Sequence, residues 1–322
     1  MAIEEGFALW ANPSSPHAEG RKARAALEDA RERIKAALGW QGELIFTSGA
    51  SEAAALALGA AKLDRYLVSA VEHDCILQAG AGASRLTVGE TGALDLAALE
   101  QALAEGPALV AVQHVNSETG NRQDLETIAA MVRAGDGLLL ADCAQSAGKM
   151  ALPPCDMAIL SAHKFGGPIG AGALLVRDFA LLEPSGGHER GYRRGTENMP
   201  GVLGMAAALE AAKAPYLEPA VLEPLEWLNG HLPLADPTPY IHALAMPSLS
   251  ATAQVMRFDM AGISVSQGSA CSSGTMKTSR VLEAMGVDAV IAANTIRVSV
   301  GWNTTREEVE RFAEVWIGLA KP

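Results

Sequence analysis

The sequence predicts an α/β fold, with a large domain on a mostly parallel sheet and a smaller α+β domain after it. Three observations predict this. Continuous apolar runs recur, among them "ALVAVQHVN" (108–116), "GLLLADCAQ" (137–145) and "CDMAILSAHK" (155–164). Helix-like segments such as "DLETIAAMVRAG" (124–135) lie between most of them. After about residue 212 the texture changes, and "APYLEPAVLEPLEWLNGHLPLADPTP" (214–239) is rich in proline. Strands that lack polar alternation are buried on both faces, which is what helical crossovers between parallel strands provide.

The elements follow in order. "HAEGRKARAALEDARERIKAALG" (17–39) reads as a helix rich in Ala, Glu and Arg, stopped by Gly39. "ELIFTSG" (43–49) is a short strand, and an Ala-rich helix runs from about Ser51 to Lys62. "DRYLVSAVEH" (64–73) and the three runs quoted above are buried strands, and Gly172-Ala173-Leu174-Leu175-Val176 is another apolar run. The segment 214–239 is a helix with connectors. The chain closes with a strand in "TIRVSVGWN" (295–303) and the helix "TREEVERFAEVWIGLA" (305–320). There is no internal repeat and no low-complexity tract.

Composition narrows the function classes. The 322 residues are 49% hydrophobic and 19% charged, enough for a sizeable core and unlike a disordered chain. A net charge of −12 without a Lys/Arg cluster argues against nucleic acid or an anionic membrane surface as partner. No apolar run approaches the roughly 18–20 residues that span a bilayer. The opening "MAIEEGFALW" lacks a charged-then-apolar signal pattern, so a reducing, cytoplasmic location is expected. Cys75, Cys143, Cys155 and Cys271 are far apart and form no CxxC pair. They read as free thiols, with neither a disulfide frame nor a metal site.

Ligands of α/β sheets bind beyond the carboxyl ends of the strands. After "ELIF" comes Thr47-Ser48-Gly49-Ala50-Ser51, a glycine turn opening a helix. Free N–H groups there suit a phosphate, although an ordinary helix cap is the simpler reading of that turn taken alone. It is neither a Walker loop nor GxGxxG. His73 follows "YLVSAVE", and His114-Val115-Asn116 follows "ALVAVQ". Asp142 ends "GLLLA", with Gln145 three residues on. A carboxylate there is costly unless a cation or donor meets it, and its competing reading is again a helix cap. Ser161-Ala162-His163-Lys164 ends "MAIL", where a buried ammonium has no obvious structural use.

Each feature is weak alone, but they converge on one sheet edge. Pyridoxal phosphate asks for this set. Its aldehyde needs a lysine amine, its pyridinium N–H a carboxylate, its ring a flat partner and its phosphate a helix N-terminus with hydroxyls. Burial is expected to lower the lysine pKa and make the amine nucleophilic. The glycines in "SAHKFGGPIGAG" (161–172) then let backbone approach the cofactor.

"SAHKFGGPIGAG", "ADCAQSAGK", "VNSETGNRQDL", "TSGASE" and "GTENMPG" together resemble the class V, fold-type I pyridoxal-phosphate enzymes. Within them the chain is similar to the cysteine desulfurases of the NifS/IscS-like branch. The deciding stretch is "VSQGSACSSGTMKTSRVLEAMG" (265–286), which resembles the family loop SSGSAC-[ST]-SG that carries a catalytic cysteine. "NPSSPHAEGRKAR" (12–24), "GGHERGYRRGTEN" (186–198) and "TIRVSVGWNTTREEVE" (295–310) also match family segments, so the resemblance covers nearly the whole chain.

The resemblance implies a fold-type I transferase with a large cofactor-binding domain over 12–212. Residues 1–11 and 213–322 would form the small domain, carrying the cysteine loop and a carboxylate-binding arginine. Lys164 would be the Schiff-base lysine, and His73 the residue stacked on the ring. Asp142 would pair with the pyridine nitrogen, and Gln145 with the ring hydroxyl. Ser51, Ser161 and His163 would hold the phosphate, with the backbone around Ala50. Thr196 would reach the phosphate across a homodimer interface. Asn116 and Arg297 would bind the substrate carboxylate, and Cys271 would be the nucleophile that receives sulfur from L-cysteine as a persulfide, releasing alanine. The remaining cysteines would be structural. The sulfur would pass to an acceptor protein such as an iron–sulfur scaffold, or to a tRNA-thiolation relay.

Three departures from the family pattern stand out. The segment of the type "YLDNAATTP" before "NPSS" has no counterpart, which bears on closure of the substrate site. Residues 214–245 are fewer than usual, implying a reduced small domain. Trp302 replaces a smaller or charged residue. Two other readings therefore stay open: another class V reaction (aminotransferase or selenocysteine lyase), or a catalytically inactive partner protein that keeps the fold.

Overall fold

A computed structural model describes residues 1–268 and 279–321. The large sheet has seven strands: β1 (Glu43–Thr47), β2 (Tyr66–Ser69), β3 (Ser84–Leu86), β4 (Leu109–Gln113), β5 (Leu138–Asp142), β6 (Met157–Ser161) and β7 (Gly172–Val176). Their spatial order is β1-β7-β6-β5-β4-β2-β3. From β6 to β3 all pairings are parallel, whereas β7 runs antiparallel to both β6 and β1. Every residue of β4, β6 and β7 is buried, as continuous apolar runs require.

Around this sheet lie α1 (Ala2–Ala8), α2 (Ala18–Leu38), α3 (Ala50–Ala60), α4 (Asp74–Ala79), α5 (Leu96–Leu103), α6 (Leu125–Ala134) and α7 (Met199–Glu210). Two separate apolar cores form. Leu27, Ile34, Phe46, Val110 and Leu139 belong to one, and Ile45, Ala54, Val68, Leu109 and Ile159 to the other. Alternate residues of each strand thus feed opposite layers. The α2 helix begins and ends where its sequence says. His17 accepts from the Gly20 N–H at 3.1 Å, and Gly39 adopts φ 67°.

The smaller body holds α8 (Pro219–Glu226), a three-stranded antiparallel sheet and four further helices. Its strands are β8 (Ile241–Ala245), β9 (Ser266–Gln267) and β10 (Thr295–Ser299), in the order β8-β10-β9. Its other helices are α9 (Ala251–Met260), α10 (Arg280–Ala284), α11 (Ala289–Ala293) and α12 (Arg306–Ala320). Thr305 and Glu308 form a reciprocal cap at the start of α12. Phe258 of α9 stacks on Phe312 of α12 with ring centroids 4.9 Å apart.

The N-terminal segment differs from expectation. Residues 1–11 were assigned with the small domain, but α1 lies on the large body, with buried Gly6 against Pro200 of α7. Ala2, Leu9 and Ala11 pack on the core that contains Leu27. The expected strand over 64–73 is also cut to Tyr66–Ser69, because the Glu72 N–H closes a turn onto the Ser69 carbonyl at 3.2 Å. Among the described residues no helix is long and apolar enough to cross a membrane.

Candidate active site

One cleft of about 590 Å³ opens where the carboxyl ends of β1, β4, β5 and β6 meet the smaller body. Its lining includes Ala50, Ser51, His73, Asp142, Gln145, Ser161, His163, Lys164 and Arg297. These residues span most of the sequence, and the strand order alone brings them together. The volume suits a small cofactor with an amino-acid-sized substrate.

The turn after β1 reaches α3 through Gly49, which stands at the helix N-terminus with φ 151°. A Cβ on Gly172 would lie 2.6 Å from the Gly49 Cα and 2.6 Å from the Leu160 carbonyl oxygen. Only a chain without that atom lets the turns after β1 and β6 close on each other. Ser161 ends β6, with its Oγ 3.0 Å from His163 Nδ1. The carboxylate nearest the turn, Glu52, is neutralised by Arg193 at 2.9 Å. Oriented N–H groups and two hydroxyls therefore face a site that accepts an anion.

Asp142 ends β5 and is buried. Burial pushes its carboxyl above the ordinary value, while the Ala144 N–H and the charges of His73 and Lys164 oppose that rise. Its Oδ1 accepts from the Ala144 N–H at 2.9 Å, so the helix-cap reading holds only as a local turn. His73 begins α4. Its Nδ1 accepts from the Cys75 N–H at 3.2 Å and lies 3.0 Å from Cys75 Sγ.

Lys164 requires a correction. It was expected to be buried at a strand end. Instead it lies on a single 3-10 turn, Ala162–Phe165, beyond β6, and its side chain is exposed along the cleft. Trp302, 64% exposed, lies beside Gly166 of this same turn.

Arg297 comes from β10 of the smaller body. Its guanidinium lines the cleft and donates from Nη1 to the Ser117 carbonyl at 3.0 Å. Asn116 does not line the cleft. It is 2% exposed, donates from Nδ2 to the Val71 carbonyl, and its Oδ1 accepts from the N–H groups of Glu118 and Thr119. Thr196 is exposed and outside the cleft of its own chain. Cys271 lies outside the described residues. His114 is structural: burial lowers its pKa to about 4, and it is 7% exposed.

Sequence reasoning missed several residues. Cys75 was placed with the structural cysteines of apolar strands, yet it opens α4 and lines the cleft. Burial, with the charge of Asp142 behind it, pushes its thiol up to about 12. Gln113 also lines the cleft, and its buried Nε2 has no hydrogen-bond partner among the described residues. A polar residue ending the apolar run "ALVAVQ" was the available signal. Glu72, fully buried, accepts from the Gln113 N–H at 2.7 Å.

The residues fit pyridoxal phosphate in the chemistry of their donors. The cleft combines a primary amine, a buried carboxylate, an imidazole, an anion-accepting helix start and an unsatisfied amide donor.

The comparisons with known proteins agree. The family model described as aminotransferase class-V matches residues 3–312. A cysteine desulfurase of Cereibacter sphaeroides is 34% identical, over 95% of this chain and 87% of its own length. Cysteine desulfurase IscS 1 of Archaeoglobus fulgidus is also 34% identical, over 96% of this chain and 90% of its own. The NifS-like protein of Rickettsia africae superposes with a TM-score of 0.86 at 26% identity, covering 99% of this chain and 95% of that one. A structure of SspA in complex with cysteine superposes with a TM-score of 0.79 at 29% identity, covering 93% of this chain and 94% of that one. With motif order, fold and cleft chemistry in agreement along nearly its whole length, the chain belongs to the class-V aminotransferase family, whose cofactor is pyridoxal phosphate.

Proposed function

We propose that the protein is a cysteine desulfurase, moving sulfur from L-cysteine to its own Cys271 and releasing L-alanine. The observation that carries this reading is the meeting of Lys164, Asp142 and the α3 turn with Arg297 in one cleft. Three of these suit the cofactor, and the fourth suits an amino-acid carboxylate.

When bound, pyridoxal phosphate supplies an electron-withdrawing ring that acidifies the substrate Cα–H. Lys164 Nζ would hold the cofactor aldehyde and would move the proton at the substrate Cα. Its exposed position lets the amine swing between those tasks. Asp142 holds the proton on the pyridine nitrogen, and the surrounding burial strengthens that pairing. His73 would lie against the ring, with the Cys75 N–H fixing its Nδ1 as an acceptor. Gln145 meets the ring hydroxyl. Ser51, Ser161, His163 and the backbone at Ala50 receive the phosphate, joined by Thr196 from a second subunit of a homodimer.

Arg297 binds the substrate carboxylate through the face of its guanidinium not used by Ser117. Asn116 shapes the loop that presents Ser117, with the carboxylate reached through that loop. The Cys271 thiolate attacks the substrate sulfur. A sulfur–sulfur bond forms, the substrate carbon–sulfur bond breaks, and its electron pair leaves with carbon, which a proton then converts to alanine. The persulfide passes to an acceptor protein such as an iron–sulfur scaffold in the cytoplasm.

The test uses the full chain reconstituted with pyridoxal phosphate. Yellow protein that releases equal amounts of alanine and sulfane sulfur from L-cysteine is expected. Cys271→Ala should stay yellow and lose sulfur transfer. Colourless protein, or sulfur transfer that survives Cys271→Ala, overturns the reading.

A further inference from the structure

We propose that Gln113 is a further cofactor-binding residue, its Nε2 donating a hydrogen bond to the ring oxygen of pyridoxal phosphate. This rests on the cofactor assignment made above.

Gln113 is the last residue of β4 and only 3% exposed. Among the described residues its buried Nε2 meets no acceptor, although the side chain lines the cleft. An unmade buried donor is costly, so one that survives beside a ligand site points to an acceptor on the ligand. Its place is also fixed. The Glu72 carboxylate holds its N–H at 2.7 Å, and the parallel register sets Gln113 opposite Asp142. In-register neighbours project from the same face of a sheet, so the amide and the carboxylate stand side by side.

The strand order says which part of the cofactor comes near. Across the sheet edge lie the anion-accepting turn of β1, the Lys164 turn of β6, Asp142 of β5 and Gln113 of β4. Pyridoxal phosphate carries its phosphate arm and its ring oxygen on opposite sides of the axis from nitrogen to aldehyde. With the arm at α3 and the nitrogen at Asp142, the oxygen-bearing edge turns toward β4. That oxygen is an acceptor with capacity for two donors, so Gln145 and Gln113 share it.

The consequence is electronic. A donor on the ring oxygen draws off negative charge that otherwise holds the proton on the lysine-bound nitrogen. Removing the donor makes that proton harder to lose.

The experiment compares the parent chain with Gln113→Leu and Gln113→Met, each loaded with pyridoxal phosphate. It reads the midpoint of the visible-absorbance pH titration, the cofactor dissociation constant and the melting temperature without cofactor. Both variants should raise the midpoint by about half to one pH unit and weaken cofactor binding several-fold. Their cofactor-free melting temperature should equal or exceed that of the parent, since an unpaired buried amide is gone. Variants with the parent's midpoint and affinity overturn the proposal. Variants that lose cofactor-free stability while keeping that midpoint also overturn it, and assign the amide to Glu72 instead. A parent chain that binds no pyridoxal phosphate fails earlier, at the cofactor assignment, and takes the proposal with it.

Discussion

Gly49 and Gly172 meet so closely that a Cβ on Gly172 would stand 2.6 Å from the Gly49 Cα. The contact joins the anion-accepting turn to the first residue of β7, which lies between the strands that carry that turn and the lysine. Gly172→Ala must push these turns apart. The expected cost is about 1–3 kcal/mol of stability, with a loss of phosphate affinity. Chemical denaturation and a phosphate-competition assay measure the two. A variant with parental values for both would show that the turns can separate freely.

Arg297 is the guanidinium that the smaller body sends into the cleft, and the Ser117 carbonyl holds it at 3.0 Å. Arg297→Ala is expected to raise KM for L-cysteine by about 10- to 100-fold, the range for a lost charge-assisted bond. The visible spectrum of the bound cofactor should not change. A spectrum that changes with KM unaltered would place the arginine on the cofactor instead of the substrate.

Glu72 carries a pH signature. Burial, and then the charge of Asp142, raises its carboxyl well above the ordinary 4.5. The folded chain therefore keeps a proton that the unfolded chain has already released. Stability from this group is complete below about 4.5 and is lost as pH rises through the higher native value. Asp142, also raised, acts in the same direction. Glu72→Gln keeps an acceptor for the Gln113 N–H and cannot ionise. The variant should lose less stability than the parent between acid and alkaline pH. Parallel stability curves for the two proteins would contradict this.

Arg31 and Glu189 form a buried bidentate pair, at 2.8 and 3.0 Å, and Glu189 also receives the Phe46 N–H at 2.8 Å. Both side chains are almost fully buried. Glu189→Ala leaves the buried guanidinium with Glu28 at 3.0 Å and the Leu44 carbonyl but without its bidentate partner, which is expected to cost about 3 kcal/mol. Equilibrium unfolding checks it. A paired Arg31→Met, Glu189→Leu variant should recover much of the loss, because an apolar pair strands no charge.

Much of the fold was legible because the signals were local. The His17 and Gly39 caps bound α2, and Thr305 with Glu308 opens α12. The strand ends carrying Asp142 and Ser161 were readable as polar residues closing apolar runs, and His73 opens the helix a short turn beyond β2. What failed depended on tertiary context. Lys164 was read as buried because its run was, but one 3-10 turn carries it out of the sheet. Asn116, expected at the substrate carboxylate, does not line the cleft; its Nδ2 donates to the Val71 carbonyl and its Oδ1 accepts from Glu118 and Thr119. Cys75 and Gln113 look ordinary in sequence, and only strand register and the His73 turn bring them to the cleft. The α1 helix has no strong pattern of its own, and its place follows from the α7 surface it covers.

The position of β7 has a bearing on synthesis. In the large sheet β1 pairs with β7 alone, although 125 positions separate Thr47 from its partner Gly172. A growing polypeptide leaving the ribosome holds the first half of the vitamin site long before the strand that braces it has been translated. The brace between the turn of β1 and the lysine turn thus arrives late, when the segment ending at Val176 emerges.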